Sequence, residues 1–325
     1  MPKESTHLYL AEIARKALSA SIPEATELID SAPNLFMTGS VSPDSIFNYS
    51  FGPAREFFRS FNHYAHDSQT HHLLSFIPRI ADAGMSLAPS FSFAAGAICH
   101  LCADAVFHPL IFYFTGSDTI RHYTFESEID KRLRSIYPEL REELLYRRFS
   151  NIETNRDEFA DCMKALHLPE SAAKLVPAKE LISMFRQHSR NQSFYGRTLF
   201  AGIARLLKLV SGGRKDELPA LLYKDAPLAT ATESEYFLNK NIEYKNPLSG
   251  ARQTASFNKL EQDFLSLFTE TMTKVLQTFT CSNPTALSEF CPRNPESGLP
   301  APYPPVSEPL QMQFFNLKSF REVWE

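Results

Sequence analysis

Residues 91–114 read FSFAAGAICHLCADAVFHPLIFYF, and this stretch decides the fold. It is apolar enough for the interior, yet it carries His100, Asp104 and His108 at four-residue intervals. At about 100° per residue, each step of four drifts by only about 40° round a helix, so the three side chains share one narrow stripe. The Ala, Val, Phe and Leu residues on its flanks turn that stripe inward. Two imidazoles and a carboxylate buried without partners are costly. A metal removes the cost by coordinating them, and zinc suits the mixture, with nitrogen and oxygen ligands at about 2.0–2.2 Å. The segment is therefore expected to be a buried helix that carries metal ligands. Pro109 is expected to kink it.

Other residues supply the same chemistry. His122 and Glu126 repeat the four-residue spacing within RHYTFES. Asp44 ends SPD and places a carboxylate in a tight loop. His63, His66, His71 and His72 fall close together, and His7 stands at the start of the first helical pattern. Eight of the ten histidines precede residue 123, which points to a metal site in the first half of the chain. Each histidine taken alone is more simply a hydrogen-bonded core residue. The regular spacing of three ligand types on one face is what argues otherwise. Cys99 and Cys102 form a CxxC without a second cysteine pair nearby and are read as packing. His167 and His188 are read as surface or core, and Asp67 as a helix cap or a partner to a ligand.

The bulk properties limit the function classes. The chain has 325 residues, 43% of them hydrophobic, which is ample for a sizeable core. A net charge of −4 and a pI near 6.2 give no basic footprint for nucleic acid. Glycine is scarce (11) and amphipathic stretches are long, which favours helices over hairpins. The first 21 residues read as an amphipathic helix from about His7, capped by Ser5-Thr6, rather than as a signal peptide. Five cysteines, an odd number without framework spacing, are expected to be reduced thiols of a cytoplasmic protein. The one long apolar run holds ionisable groups and a proline, so no transmembrane segment is expected.

Short helices are expected near residues 24–30 and 54–64 and from residue 68, with a loop over 34–53 between the first two. Several helices should fill 139–210, and a strong one should start at Ala255. The fold class is all-α: a multi-helix domain over residues 1–280. Residues 281–325 form a Pro-rich, irregular extension with eight prolines between Cys281 and Pro309. Its aromatic end (Phe314, Phe315, Leu317, Phe320, Trp324) is expected to dock back onto the body.

Taken together, these motifs resemble the zinc-dependent phospholipase C family of bacterial trinuclear-zinc enzymes. The matching pieces are the His at position 7, GSVSPD ending at Asp44, YAHDSQTHHLL with His66, HLCADAVFHP from His100 to Pro109, and HYTFE from His122 to Glu126. The NPLSG at Asn246 and the helix after it look like the family's C-terminal part. The resemblance implies a helical domain of the phospholipase C and single-strand nuclease type, with about two to three zinc ions at the foot of a cleft. It implies that Asp44, His66, His100 and Asp104 bind one zinc, that His108, His122 and Glu126 bind a second, and that Asp104 bridges to a third held with His7. It also implies that Asp44 is the base for the attacking water. His63 stands as the alternative to His66. The family's processed N-terminal Trp has no counterpart here, which puts the third zinc in question.

The expected activity is metal-assisted hydrolysis of a phospholipid or a related soluble phosphodiester, with peripheral membrane contact conceivable and no nucleic-acid partner. Phe47, Tyr49 and Phe112 are expected near the cleft. Two alternatives stay open at this point. His66-Asp67 also suits an HD-type phosphohydrolase acting on nucleotides, and a helical protein with a non-catalytic zinc would use some of the same ligands. A single-strand nuclease of related type is disfavoured by Glu126, where an Asp is usual.

Overall fold

The computed structural model describes residues 4–61, 64, 72–81, 86–195, 202–203, 206, 209–210, 225–281, 293–295, 297–300 and 313–324. Helix α1 spans Glu4–Ser21. It starts before the expected His7, and its open end is closed from elsewhere in the chain. The backbone N–H groups of Ser5 and Thr6 donate to the Asp130 carboxylate at 3.1 and 2.8 Å, and the Thr6 hydroxyl donates to it as well. A buried carboxylate satisfies several helix-end donors at once and complements the positive end of the helix, so it displaces the local Ser-Thr cap.

Helices α2 (Pro23–Ser31) and α3 (Pro33–Gly39) each open on a proline, where the missing N–H costs nothing. A 3-10 helix, Ser42–Asn48, follows and carries Asp44. The stretch read as a loop over 34–53 is thus largely helical. Its polar and turn-forming residues conceal Leu35, Phe36, Met37, Val41 and Ile46, all buried. The helices α4 (Arg55–Arg59) and α5 (His72–Ala81) come next; α4 is shorter than expected.

Helix α6, Leu87–Thr115, runs through the centre. It packs against α1, α2, α3 and α5, and its buried residues cover every face, as expected of an interior helix. By length and composition it could span a membrane, but 83% of its most apolar window is buried inside the protein. The expected kink at Pro109 does not reverse the chain, because the helix continues to Thr115. The reversal falls at Gly116, with φ +60°. Helix α7 (Thr119–Ile136) then begins at Asp118, whose side chain accepts from the backbone N–H groups of Ile120 and Arg121.

Among the described residues, a 3-10 helix (Pro138–Arg141) is followed by α8 (Leu145–Ser150), α9 (Arg156–His167), α10 (Glu170–Ala173), α11 (Ala178–Tyr195) and α12 (Ala231–Asn239). A small antiparallel pair, β1 (Ile242–Lys245) and β2 (Arg252–Ala255), lies outside the expected pattern. It leads into α13, Phe257–Cys281, the strong helix of the sequence reading. The fold is all-α, as read, with this hairpin as its one sheet among the described residues.

At the C-terminus, Asn316 and Lys318 donate backbone N–H groups to Tyr113 O and Phe114 O, two of the open carbonyls at the end of α6. The last helix, α14 (Phe320–Trp324), buries Phe320 and Trp324 beside Phe125 and Phe237, whereas Phe314, Phe315 and Leu317 stay largely exposed.

Candidate metal centre

Two glycines set the spacing of the site. Gly39 on α3 and Gly96 on α6 meet so closely that a Cβ on Gly96 would lie 2.2 Å from Phe36 O, and one on Gly39 would lie 2.5 Å from Phe93 O. That approach brings the end of α3 to the ligand face of α6 one turn further on. Ser40 O accepts from His100 Nδ1 at 2.9 Å. A carbonyl oxygen only accepts, so Nδ1 carries the proton, and His100 presents Nε2 to the pocket.

The stripe predicted on α6 exists. His100, Asp104 and His108 are buried, and Asp104 is the hub of the site. Its Oδ2 lies 3.3 Å from His100 Nε2, and its Oδ1 lies 3.5 Å from His7 Nε2 and 3.6 Å from His108 Nε2. His100 Nε2 is also 3.4 Å from Asp44 Oδ1. His122 Nε2 lies 2.7 Å from Glu126 Oε1, and His108 Nε2 lies 3.9 Å from the same oxygen. The ligand atoms fall into two groups, each within 4.8 Å: His7, Asp44 and His100, and His108, His122 and Glu126. Asp104 touches members of both. His66, and its alternative His63, lie outside the described residues.

The donor set fits zinc. Two ligands about 2.0–2.1 Å from a tetrahedral ion stand about 3.3–3.4 Å apart. Four of the six N···O separations above lie at 3.3–3.6 Å, close to this length and beyond ordinary hydrogen bonds. His7 makes the same point: it is 1% exposed, and neither ring nitrogen has a hydrogen-bond partner among the described residues. Three carboxylates, Asp44, Asp104 and Glu126, share this space with imidazoles, an excess of negative charge that calls for cations.

The electrostatics agree. Burial, reinforced by the neighbouring His100, holds His7 well below the usual histidine range, so it is neutral and ready to ligate. Burial also lowers His122. At His100, burial opposes the charged form, but the carboxylates of Asp104 and Asp44 outweigh it and push the group up to about 10. Without a metal, a proton holds those two carboxylates together; a metal cation suits the same position.

The segment bearing Asp44 is gripped by residues the sequence did not mark. His167 donates from Nε2 to Ser42 O at 3.0 Å. His188 bridges Ser45 Oγ (2.9 Å) and Glu4 Oε1 (3.2 Å). Asn48 donates to Asp44 O, and its own side-chain oxygen accepts from Asn191 and Tyr195. His167 and His188 are thus core residues that hold the loop of a candidate ligand. Their contacts run to backbone, hydroxyl and carboxylate groups far off in sequence, and no spacing could reveal them.

Of the aromatics expected at the cleft, Phe112 is partly exposed and lies against both His108 and His122, with ring centroids 5.1 and 4.6 Å away. Phe47 is partly buried against the core. Tyr49 is buried and donates to Glu180 at 2.5 Å, so it belongs to the interior. Cys99 and Cys102 are buried, and burial pushes both thiols up, Cys102 to about 12, which suits packing.

A family model described as zinc dependent phospholipase C matches residues 6–174. No curated protein and no solved structure matches the chain.

Proposed function

The chain belongs to the zinc-dependent phospholipase C family, and from that premise we propose that it hydrolyses the phosphodiester of a phospholipid, or of a related soluble ester, with zinc held by His7, Asp44, His100, Asp104, His108, His122 and Glu126. His66 completes the proposed set. The observation that carries this reading is the shared carboxylate of Asp104, which faces histidines of both ligand groups from a fully buried position. A single structural zinc closes its shell with four ligands. A bridging carboxylate between two groups is instead the arrangement of a multinuclear hydrolase.

Bound zinc supplies Lewis-acid polarisation of the phosphoryl oxygens and lowers the pKa of water at the site. The chain does the rest. Asp44, 14% exposed, is the most accessible of the described ligands, which suits it to accept the proton of the attacking water. Asp104 is sealed from solvent and faces both ligand groups. Phe112 forms an apolar wall beside His108 and His122 and excludes water on that side.

Purified protein should carry about two to three zinc ions per chain. It should cleave phosphatidylcholine vesicles or a soluble bis-aryl phosphate, and the relative rates assign the substrate class. Asp44→Asn should retain the zinc of the His108–His122–Glu126 group and lose on the order of 10²-fold or more in turnover. A zinc-loaded protein inert toward both substrates, or an Asp44→Asn variant at full activity, overturns the reading.

A further inference from the structure

Part of the Pro-rich extension, outside the matched residues 6–174, touches a metal ligand. His108 Nδ1 sits 2.8 Å from the backbone carbonyl of Pro295. Because the carbonyl can only accept, Nδ1 holds the proton and Nε2 is left facing Asp104 and Glu126. Ser40 O does the same for His100 from within the matched region. For His108, the partner lies 187 residues away in sequence.

The turn that presents Pro295 is built from its own polar groups. Gly298 N donates to Asn294 O at 2.8 Å, Asn294 N to Leu299 O at 3.0 Å, and Ser297 N to the Asn294 side chain at 2.8 Å. Asn246, between β1 and β2, ties the turn to the body by donating from Nδ2 to Ser297 O at 2.7 Å.

The seat for the turn comes from the residue after the ligand. Pro109 has no N–H, so Ala105 O lacks its helical donor. Gly298 lies against that carbonyl: with φ +67°, an added Cβ would stand 2.5 Å from Ala105 O and 3.0 Å from Pro109 Cγ. A proline next to His108 opens the helix backbone, a glycine fits against the opening, and the carbonyl three residues before that glycine reaches His108.

We infer that residues 293–295 and 297–300 are a positioning element for the His108–His122–Glu126 pocket. The segment fixes the tautomer and rotation of His108 and thereby sets the zinc affinity of that pocket, in addition to packing the C-terminus. The inference rests on the zinc reading above.

The test uses the full chain, with Gly298→Ala and Asn246→Ala as variants that touch no proposed ligand. Two readouts are needed: the two-bond ¹H–¹⁵N spectrum of the His108 ring, and zinc retention against graded chelator. The wild type should show the Nδ1–H tautomer. The variants should lose that signature and hold one zinc about 10–100-fold more weakly, with the remaining zinc retained as in the wild type. Wild-type titration with variants that keep the tautomer overturns the inference, and so does an Nε2–H tautomer in the wild type. If Gly298→Ala fails to fold, Asn246→Ala, which removes only hydrogen bonds, decides the matter. A wild-type chain that binds no zinc refutes the metal reading instead, and its ring spectrum still reports whether Pro295 orients His108.

Discussion

Asp104 shows how a single residue can trade stability for function. It is fully buried, and among the described residues His100, protonated without metal, sits on one oxygen, while the neutral His7 lies near the other. Asp104→Asn keeps the shape and removes the charge. The variant should lose zinc from both ligand groups on dialysis, because both face this carboxylate, whereas a change confined to one group should spare the other. Metal-free Asp104→Asn should melt no lower than the metal-free wild type, since a buried charge has been relieved. Metal analysis and paired melts in chelator check both halves. Retention of full zinc by Asp104→Asn would remove Asp104 from the hub. At this scale the sequence was most informative. The shared faces of His100, Asp104 and His108, and of His122 and Glu126, follow from helical spacing alone. The groups that orient them, Ser40 O and Pro295 O, are backbone atoms, and no residue type announces them.

The elements decide whether these residues meet, and the contact of α3 with α6 is the decisive one. The helix spacing at Gly39 and Gly96 places Ser40 and Asp44 on His100. Gly96→Ala should push α3 away, since its Cβ would fall 2.2 Å from Phe36 O and 2.8 Å from Ser40 N, both rigid backbone atoms. The expected cost is about 1–3 kcal/mol of stability, as for other overpacked cores. Zinc should also be lost from the group containing Asp44, read by chelator competition. A Gly96→Ala chain with wild-type melting and metal content would show that the crossing is looser than described. The sequence concealed this contact, because Gly39-Ser40 within a Ser- and Pro-rich stretch reads as a turn. Its apolar residues Leu35, Phe36 and Met37 were the better guide: they need a partner surface, and α6 is buried on every side. The Ser5-Thr6 cap misled for a similar reason, since local capping rules cannot anticipate a carboxylate arriving from α7.

For the whole molecule, the proposed ligands come from well-separated segments: α1, the 3-10 helix after α3, α6 and α7. On the proposed reading, metal binding ties together elements that otherwise meet around a cluster of like charges. Three carboxylates converge there, and burial denies water to two of them, Asp104 and Glu126. Removing zinc should lower the melting temperature of the entire domain. At a free zinc concentration of about 100 times the dissociation constant, each site contributes about 2.7 kcal/mol. For a chain of this size that corresponds to a shift of roughly 5 °C per site. The shift should grow with zinc concentration, as linkage requires. It should also be lost stepwise as chelator strength rises, because the two ligand groups differ in composition: one holds two imidazoles with Asp44, the other two imidazoles with Glu126 and the Pro295 support. Calorimetry across a chelator series would resolve the steps. Unchanged melting after complete loss of zinc would mean that the buried carboxylates find their counter-charge within the chain, and the centre would then have to be explained without a cation.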